Sequence, residues 1–500
     1  MKKILLFVTT FIIFLTAILF YRANSVFENN QYQVVESLTP ITLDKSAVLE
    51  RFSQALQIPT ISYDDKSQLD HSAFQAFHQL LAQSFPLVHA QTQLTKFNDY
   101  SMLFFLKGQD PELKPALFMG HMDVVPVDEH TKDQWLQPPF SGNVVDGVIW
   151  GRGAIDDKVS VLALMESMEL YLTQLNTQKI APQLAPQRDI YFAFGHDEEV
   201  GGDGAKAIAK YFSEQDIQFE FILDEGGVIT DGIIPGTTQP IALVGVAEKG
   251  RVNFSLTVKG EGGHSSQPPA HTAAGILASA IVNVENNKFD PRLEFFDLMI
   301  NNIGYSMPLA QRLPLANLWL FEPLVLSTLL KSPSSAATAR TTTAVTMLQG
   351  STKSNVLPTI ATAVVNFRIL PGDTIDSIQA HLERVIDDPR VMLSTDQANE
   401  ASAVSPIDNI GFKLIESSIR RLDPNVLVTP YLVVGATDSR HFQDLSDNIY
   451  RFMMVSLDPT TLKQFHGLNE QIKVQDYLNA IQFYYAMLEQ TASGKQQSTL

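Results

Sequence analysis

The chain has 500 residues, of which 45% are hydrophobic and 18% are charged, so it can bury a large core, and disorder as its main state is excluded. Its 36 basic and 54 acidic residues give a formal net charge of −18, and the lack of a Lys/Arg-rich run argues against a nucleic-acid partner. The sequence contains no cysteine, which excludes disulfides, thiolate zinc sites and cysteine nucleophiles, so any metal must be held by His, Asp or Glu.

Residues 1–23 predict a membrane anchor or a signal segment. Two lysines precede an apolar run from Ile4 to Phe20, which as a helix would be ~26 Å long, close to the ~30 Å hydrocarbon layer of a bilayer. We favour an uncleaved anchor with the lysines inside and the catalytic part exported to a periplasmic, lumenal or extracellular space. The alternative is secretion after signal cleavage near Ala23. Residues 24–43 are polar and predict a linker.

Globular structure is predicted to begin at Asp44, which is placed to cap a helix. Further helices are predicted over His71–Phe85, Lys158–Leu172 and Ala205–Phe212. Short apolar runs alternate with these helices, at Met102–Leu106, Ala116–Met119, Ile190–Phe194, Phe219–Leu223 and Ile241–Val246. Strands interleaved with helices predict an α/β domain with a largely parallel sheet.

Acidic residues and a histidine follow the predicted strands, where open α/β sheets bind their ligands. Taken singly, each motif has a structural explanation as a turn, a helix cap or a solvated acidic loop. Together, so many carboxylates at one sheet edge would repel one another unless cations neutralised them. The side chains concerned are His121, Asp123, Asp156, Glu198, Glu199 and Asp224.

Eight short motifs follow one another along the chain: GHMDVVP (Gly120–Pro126), WGRGAIDDK (Trp150–Lys158), HDEEVGG (His196–Gly202), LDEGG (Leu223–Gly227), KGEGGHSSQPP (Lys259–Pro269), NFRILPGD (Asn366–Asp373), GATDSRHF (Gly435–Phe442) and FHGLNE (Phe465–Glu470). In this order they resemble the co-catalytic zinc peptidases and amidohydrolases, the family of carboxypeptidase S, glutamate carboxypeptidase, the aminoacylases and succinyl-diaminopimelate desuccinylase. The resemblance covers about Asp44 to Leu488. It is closest to carboxypeptidase S and its secreted relative that hydrolyses N-fatty-acyl amino acids, because of the N-terminal segment and the SRHF sequence.

The resemblance implies two Zn²⁺ ions per subunit, with Co²⁺ or Mn²⁺ as alternatives. Glu198 would be the general base, Asp123 would orient His121, and the Asp156–Asp157 peptide bond would be cis. The implied metal ligands are His121 and Asp224 on one ion, Glu199 and His466 on the other, and Asp156 between them.

The segment 249–397 is predicted to be an inserted α+β module between two parts of the catalytic domain, 44–248 and 398–490, with a polar tail over 491–500. The resemblance implies that this module is a lid or dimerisation domain and that the protein is a homodimer. It also implies that His264 stabilises the oxyanion of the reaction. By its sequence alone, His264 is better explained as an ordinary turn histidine, and it is the resemblance that reverses this preference.

Substrate recognition is assigned by the resemblance to Asn355 and Arg368, because a guanidinium binds a carboxylate through two parallel hydrogen bonds. Without that context, Arg368 is as well explained by a pair with a surface acid. The stretch 295–330 is rich in apolar residues but contains three prolines, which exclude a single membrane-spanning helix. We favour the core of an enlarged lid or a dimer interface for this stretch over a membrane-facing or substrate-binding patch.

The sequence therefore predicts a di-zinc metallopeptidase or amidohydrolase that uses metal-activated water with Glu198 as general base. Its substrate would be a small peptide, cleaved at the C-terminal residue, or an N-acyl amino acid. The first alternative is a noncatalytic zinc-dependent peptide-binding protein on the same scaffold. The second, a serine hydrolase, lacks a Gly-x-Ser-x-Gly elbow.

Overall fold

A computed structural model describes residues 1–27, 38, 40–177 and 185–492 of the chain. Most of the predicted linker over 24–43 and of the predicted polar tail over 491–500 lies outside the described residues.

A ten-stranded mixed sheet forms the centre of the molecule. Its inner strands are continuous apolar runs that are buried on both faces, as expected for strands covered by helices on each side. All five predicted strands are present, and the predicted α/β class with a largely parallel sheet is confirmed. In spatial order the strands are Gln93–Phe97, Ser101–Leu106, Ile190–Gly195, Ala116–His121, Phe221–Asp224, Ile449–Arg451, Ile241–Glu248, Ile229–Thr230 and Ser456–Leu457, with Leu427–Val433 also paired to Ile241–Glu248.

The strand Ala116–His121 determines where the site lies. It runs parallel to Ile190–Gly195 on one side and to Phe221–Asp224 on the other. Three neighbouring strands therefore end at the same edge of the sheet, and the residues that follow them meet there.

Helices cover both faces of this sheet. The helix Lys158–Asn176 is buried over most of its length between the sheet and the C-terminal helix Val474–Ala492, and the helix Asp203–Glu214 covers the opposite face. Asp44 caps its helix as predicted, because its side chain accepts a hydrogen bond from the backbone N–H of Ala47. The other helices of this domain are Lys45–Gln57, His71–Ser84, Pro86–Gln91 and Ile410–Leu422.

A second, antiparallel sheet of four strands lies between the two halves of the large domain in sequence. One of its faces packs on two helices around a core that includes Phe254 and Phe367, and its strands alternate buried and exposed residues. This is the inserted α+β lid of the predicted fold class. The strands, in spatial order, are Thr342–Gln349, Ile360–Ile369, Gly250–Lys259 and Val391–Asn399, and the helices are Ala273–Asn286 and Ile375–Ile386.

The apolar stretch 295–330 folds into short helices that do not join the core of the lid. Their buried residues, including Ile303 and Ala316, cluster with Ile241 and Leu427 of the central sheet and with Phe27. The expected lid core is therefore wrong, because apolar composition predicts burial without specifying the surface that is covered, whereas the expected dimer interface stays a prediction. The helices of this segment are Glu294–Ile303, Leu309–Leu315 and Leu318–Leu329, and the helix Pro333–Ala339 follows it.

The N-terminal segment is a 24-residue helix, Lys2–Ser25. Among the described residues it alone is long and apolar enough to cross a membrane, and its most apolar 18-residue window is not buried by the rest of the protein. These properties are those of a signal anchor or a signal peptide.

Candidate metal centre

His121 is the last residue of its buried strand, and both nitrogens of its ring face carboxylate groups. Nε2 lies 2.9 Å from Oδ1 of Asp156, and Nδ1 lies 3.2 Å from Oδ1 of Asp123. Asp123 also accepts a 2.6 Å hydrogen bond from the hydroxyl of Ser62. A histidine that has one nitrogen against an orienting carboxylate and the other against a second carboxylate has the arrangement of a metal ligand with its orienting partner.

Asp156 lies between two imidazoles. Its Oδ2 is 2.6 Å from Nε2 of His466, which in turn lies 3.1 Å from Oε1 of Glu199. Ligand atoms of His121, Asp156 and Glu199 all lie within 4.8 Å of one another. His121 and Asp156 are buried, whereas the side chain of His466 is 47% exposed, so the cluster is open to solvent on one side. The Asp156–Asp157 peptide bond is cis, as the resemblance implied.

Glu198 and Glu199 lie in a single 3₁₀ turn that begins two residues after the strand Ile190–Gly195. The turn ends at Gly201 and Gly202, whose φ angles of 115° and 68° are in the left-handed region that favours glycine. The backbone N–H groups of both glutamates donate to the carboxylate of Asp123 at 3.2 Å. Asp123 thus contacts both His121 and the turn that carries the two glutamates.

The two glutamates face different partners. Glu199 points to His466, whereas Oε1 of Glu198 lies 3.2 Å from a guanidinium nitrogen of Arg440. Burial raises the pKa of Glu198 well above its usual range, and the charge of Asp438 adds to the effect. Burial, together with the charge of Asp156, raises the pKa of Glu199 to about 7.

Asp224 ends its strand at the same sheet edge but lies outside the group of three ligand atoms described above. One of its oxygens accepts a hydrogen bond from the backbone of Glu225 at 2.9 Å, and the other accepts one from the backbone of Ser439 at 2.8 Å. Burial raises the pKa of this carboxyl. Its assignment as a metal ligand stays a prediction.

The residues present fit a divalent metal ion. Imidazole nitrogens and carboxylate oxygens are the donors that Zn²⁺, Co²⁺ and Mn²⁺ accept. Oε1 of Glu199 is a buried atom that makes no hydrogen bond of good geometry, although His466 is close. Such an unsatisfied oxygen is costly unless a cation neutralises it. A chemical reason therefore exists for a cation between Asp156, Glu199 and the two histidines.

Comparison with known proteins identifies the family of this chain. The sequence model of the family described as peptidase family M20/M25/M40 matches residues 117–490 of the chain. The chain belongs to peptidase family M20. It is 40% identical to the probable carboxypeptidase S-like 2 of Dictyostelium discoideum, over 94% of this chain and 91% of that one, and 37% identical to the human N-fatty-acyl-amino acid synthase/hydrolase, over 89% and 88%.

Solved structures of M20 enzymes share the fold. An M20 metallo-carboxypeptidase from Sulfolobus solfataricus aligns with a TM-score of 0.63 at 15% identity, over 90% of this chain and 99% of that one. Human carnosine dipeptidase 1 aligns with a TM-score of 0.60 at 16% identity, over 90% and 96%. The predicted family and the prediction of a metallo-carboxypeptidase or amidohydrolase are confirmed, which removes the support for the noncatalytic alternative.

Two residues of the M20 motifs were given no role by the sequence, and both lie beneath the metal centre. Glu470 is buried, and one of its oxygens accepts hydrogen bonds from the backbone of Gly153, Ile155 and Asp156 at 2.8 to 3.2 Å. Its other oxygen accepts a 2.6 Å bond from Arg152, which also donates to the backbone oxygen of His466 at 3.1 Å. The Arg152–Glu470 pair thus joins the loop of Asp156 to the loop of His466. The sequence shows only that two of the motifs contain residues of opposite charge, and it does not indicate that they pair.

Replacing Glu470 with glutamine should lower the free energy of unfolding by ~3–5 kcal/mol, because it leaves the buried Arg152 without its counter-charge. Metal affinity should fall by ~10- to 100-fold, since the loops of Asp156 and His466 lose a common support. Urea titration and the metal content of the purified protein measure the two effects.

The control is Glu129→Gln, which removes the exposed partner of Lys132. It should lower the free energy of unfolding by less than ~1 kcal/mol. If Glu470→Gln keeps both the stability and the metal content of the unaltered protein, the pair does not support the site.

The predicted lid residues are not in contact with the metal-site side chains within the described part of one chain. His264 is exposed on the short strand Gly263–His264, and its Nδ1 lies 2.8 Å from the hydroxyl of Ser266. Asn355 is its neighbour, because its backbone oxygen accepts a 3.1 Å bond from the N–H of Ser265. The predicted roles of His264 and Asn355 stay predictions.

Arg368 lies on the lid strand Ile360–Ile369 and is half-buried. Burial lowers the pKa of its guanidinium, and the charges of Arg251 and Arg440 lower it further. No ion pair within 4.0 Å forms between Arg368 and an acidic side chain of the described residues. Arg368 is thus a cation close to two other cations, Arg251 and Arg440. Of these, Arg440 also contacts the carboxylate of Glu198.

Proposed function

We propose that this M20 enzyme hydrolyses an amide bond whose leaving group is an amino acid with a free α-carboxylate. This class includes both the small peptides cleaved by a carboxypeptidase and the N-acyl amino acids cleaved by an amidohydrolase. The carrying observation is Asp156 held between His121 and His466, with Glu199 beside them and Glu198 unattached to that cluster. The names of the related proteins support the same two substrate types.

The proposed metal content is two divalent ions, with Zn²⁺ as the first choice and Co²⁺ or Mn²⁺ as alternatives. His121 and Asp224 would hold one ion, Glu199 and His466 the other, and Asp156 would be shared. The chemistry that such ions supply is the activation of water at neutral pH and the polarisation of a carbonyl group. The contacts of Asp156 with both histidines support its shared position.

Glu198 is the proposed proton carrier. Its high pKa, caused by burial, suits a group that takes a proton from the attacking water and later gives it up. Transfer of that proton to the amine nitrogen accompanies breakage of the C–N bond, so that the amino acid leaves as a neutral amine. Arg440, 3.2 Å away, holds the carboxylate in position.

Arg368 is the proposed anchor for the substrate carboxylate, with Asn355 as a polar neighbour of the bound substrate. A half-buried guanidinium without a counter-ion is costly, and a substrate carboxylate would relieve that cost through two charge-assisted hydrogen bonds. The additional positive charges of Arg251 and Arg440 support binding of an anion in this region.

Matched substrates test the proposal. Leucine acylated by glycine or by a fatty acid should be hydrolysed, and the corresponding C-terminal amides should not. Arg368→Leu should raise KM for the free acids by ~10- to 100-fold, the value of a charged hydrogen bond, with a smaller effect on kcat. Steady-state kinetics of the full-length protein measure both parameters.

The matched control is Arg390→Leu, which alters a lid arginine that is paired with Asp388 and should leave KM unchanged. Equal hydrolysis of acids and amides would refute recognition of the carboxylate. Full activity after removal of divalent metals would refute the function as a whole.

We also propose a homodimer formed through the lid. The strand Thr342–Gln349 pairs with Ile360–Ile369 on one side, and within the described residues its other edge has no strand partner. Its residues Met347 and Leu348 are exposed. A sheet edge with exposed apolar side chains is normally covered by another part of the protein or by a partner. In such a dimer, exposed His264 would complete the site of the opposite subunit and donate to the oxyanion.

Mixing inactive variants tests this arrangement. Glu198→Ala and His264→Ala should each be inactive alone, whereas their co-expression should restore about a quarter of the activity, because half of the dimers are mixed and each contains one intact site. Sedimentation of the unaltered protein should give a dimer. Absence of any recovery in verified mixed dimers would place His264 within its own subunit's site or outside the reaction.

For location, we propose that the N-terminal helix is retained as an anchor and that the catalytic part is exported. The end of this helix packs on the body of the enzyme: Arg22 donates to the backbone oxygen of Ala316 at 3.0 Å, and Ala23 and Phe27 are buried in a shared cluster. Cleavage near Ala23 would remove or expose these contacts, which supports retention over the secreted alternative.

A further inference from the structure

The helix Leu318–Leu329 exposes apolar side chains next to the N-terminal helix. Trp319, Leu320 and Leu324 are 60%, 43% and 58% exposed, and Val325 alone among the residues of this helix is buried. Its sequence contains a single charged residue, Glu322. An apolar helix that presents its side chains to solvent marks an interaction surface.

The position of this helix relative to the proposed anchor indicates what covers it. The side chain of Asn317 donates to the backbone oxygen of Leu19 at 3.1 Å, and its own oxygen lies 3.4 Å from the indole N–H of Trp319. Leu19 is the penultimate residue of the apolar run Ile4–Phe20. When that run spans a bilayer, Asn317 lies at the outer boundary of the hydrocarbon layer, and Trp319, two residues further, lies within ~8 Å of it.

We propose that Leu318–Leu329 lies in the outer membrane interface as a second lipid contact beside the anchor. Tryptophan is enriched at this depth because its ring is apolar and its N–H is polar, and an apolar helix lying in the membrane plane buries side chains such as Leu320 and Leu324 among acyl chains. The proposal rests on retention of the anchor and not on the substrate. Its consequence is a fixed orientation of the catalytic domain relative to the bilayer.

The alternative occupant is a second copy of the chain, which an apolar surface could also bind. The membrane is favoured because Asn317 connects the exposed helix directly to the segment that is predicted to cross the bilayer. Electrostatic adsorption is not the basis of the contact, since the net charge of −18 disfavours approach to an anionic lipid surface. The contact should therefore persist at high salt.

The chain contains three tryptophans, which makes a direct test available. The full-length protein is reconstituted in phosphatidylcholine vesicles with and without lipid brominated near the headgroup end of the acyl chains, and its fluorescence is compared. We expect the brominated lipid to quench one component of the emission, Trp319→Phe to remove that component, and Trp135→Phe to leave it. Raising the salt concentration should not alter the quenching.

A second variant keeps the tryptophan and disrupts the surface. Leu320→Glu with Leu324→Glu should reduce quenching of Trp319 by more than half, while hydrolysis of a soluble dipeptide is unchanged and reports an intact fold. Absence of a quenched component that depends on Trp319 would overturn the proposal. So would protection of Trp319 from both brominated lipid and aqueous iodide, which would indicate a protein partner instead.

Discussion

Replacing Glu198 with glutamine should lower kcat by ~1,000-fold for both a dipeptide and an N-acyl amino acid, the middle of the range for loss of a general base. Glutamine keeps the size of the side chain but cannot accept the proton of the attacking water. The metal content should not change, because Glu198 faces Arg440 rather than the cluster of Asp156 and the two histidines. Steady-state kinetics and elemental analysis of the same preparation measure both quantities.

The matched control is Glu214→Gln, a change of the same type on an exposed helix position, which should leave kcat and metal content unaltered. If Glu198→Gln loses its metal together with its activity, Glu198 is a ligand and the division of roles between the two adjacent glutamates is wrong. If Glu198→Gln keeps more than ~10% of kcat, the loss is smaller than the ~100-fold minimum expected when a general base is removed. Another group would then move the proton.

Replacing Asp156 with asparagine should remove most of the bound metal and the activity together. An amide keeps the shape of the side chain but loses the negative charge that faces both His121 and His466. Loss of a residue that only hydrogen-bonds to a metal ligand weakens metal binding by ~10- to 100-fold. Loss of a ligand shared by two ions should weaken the binding of each ion at least as much. Elemental analysis and titration with Zn²⁺ measure the change.

Thermal stability gives a readout of the same prediction that does not depend on activity. Zn²⁺ at 100 times its dissociation constant should stabilise the unaltered enzyme by ~2.7 kcal/mol per site, and it should stabilise Asp156→Asn much less. Asp203→Asn, a change at a half-exposed acid outside the cluster, is the control and should behave like the unaltered enzyme. Equal stabilisation of Asp156→Asn and the unaltered enzyme by Zn²⁺ would show that Asp156 does not bind the metal.

The positions of the five predicted strands followed from local sequence. Apolar runs bounded by polar motifs predicted each of the five strands to within two residues at either end, because a strand covered on both faces requires an uninterrupted apolar segment. The motif order indicated the family and the cis peptide at Asp156–Asp157, and parallel strand order implied that His121, Glu199 and Asp224 meet at one edge.

The connections between distant loops could not be obtained in this way. The pairing of Arg152 with Glu470 joins residues 318 positions apart, and neither side chain carries a local signal of its partner. The separation of the two adjacent glutamates, one towards His466 and one towards Arg440, depends on the path of a turn ended by Gly201 and Gly202.

The sequence by itself determined the class of the enzyme, because eight ordered motifs resemble one family, and through that resemblance it predicted which residues would hold the metal. Only the tertiary structure decided what the apolar stretch 295–330 covers and which of its side chains stay exposed. Burial is a property of the assembled chain: Phe27, Ile303 and Leu427 come together from distant positions, and no periodicity in any one segment specifies that they share a cluster.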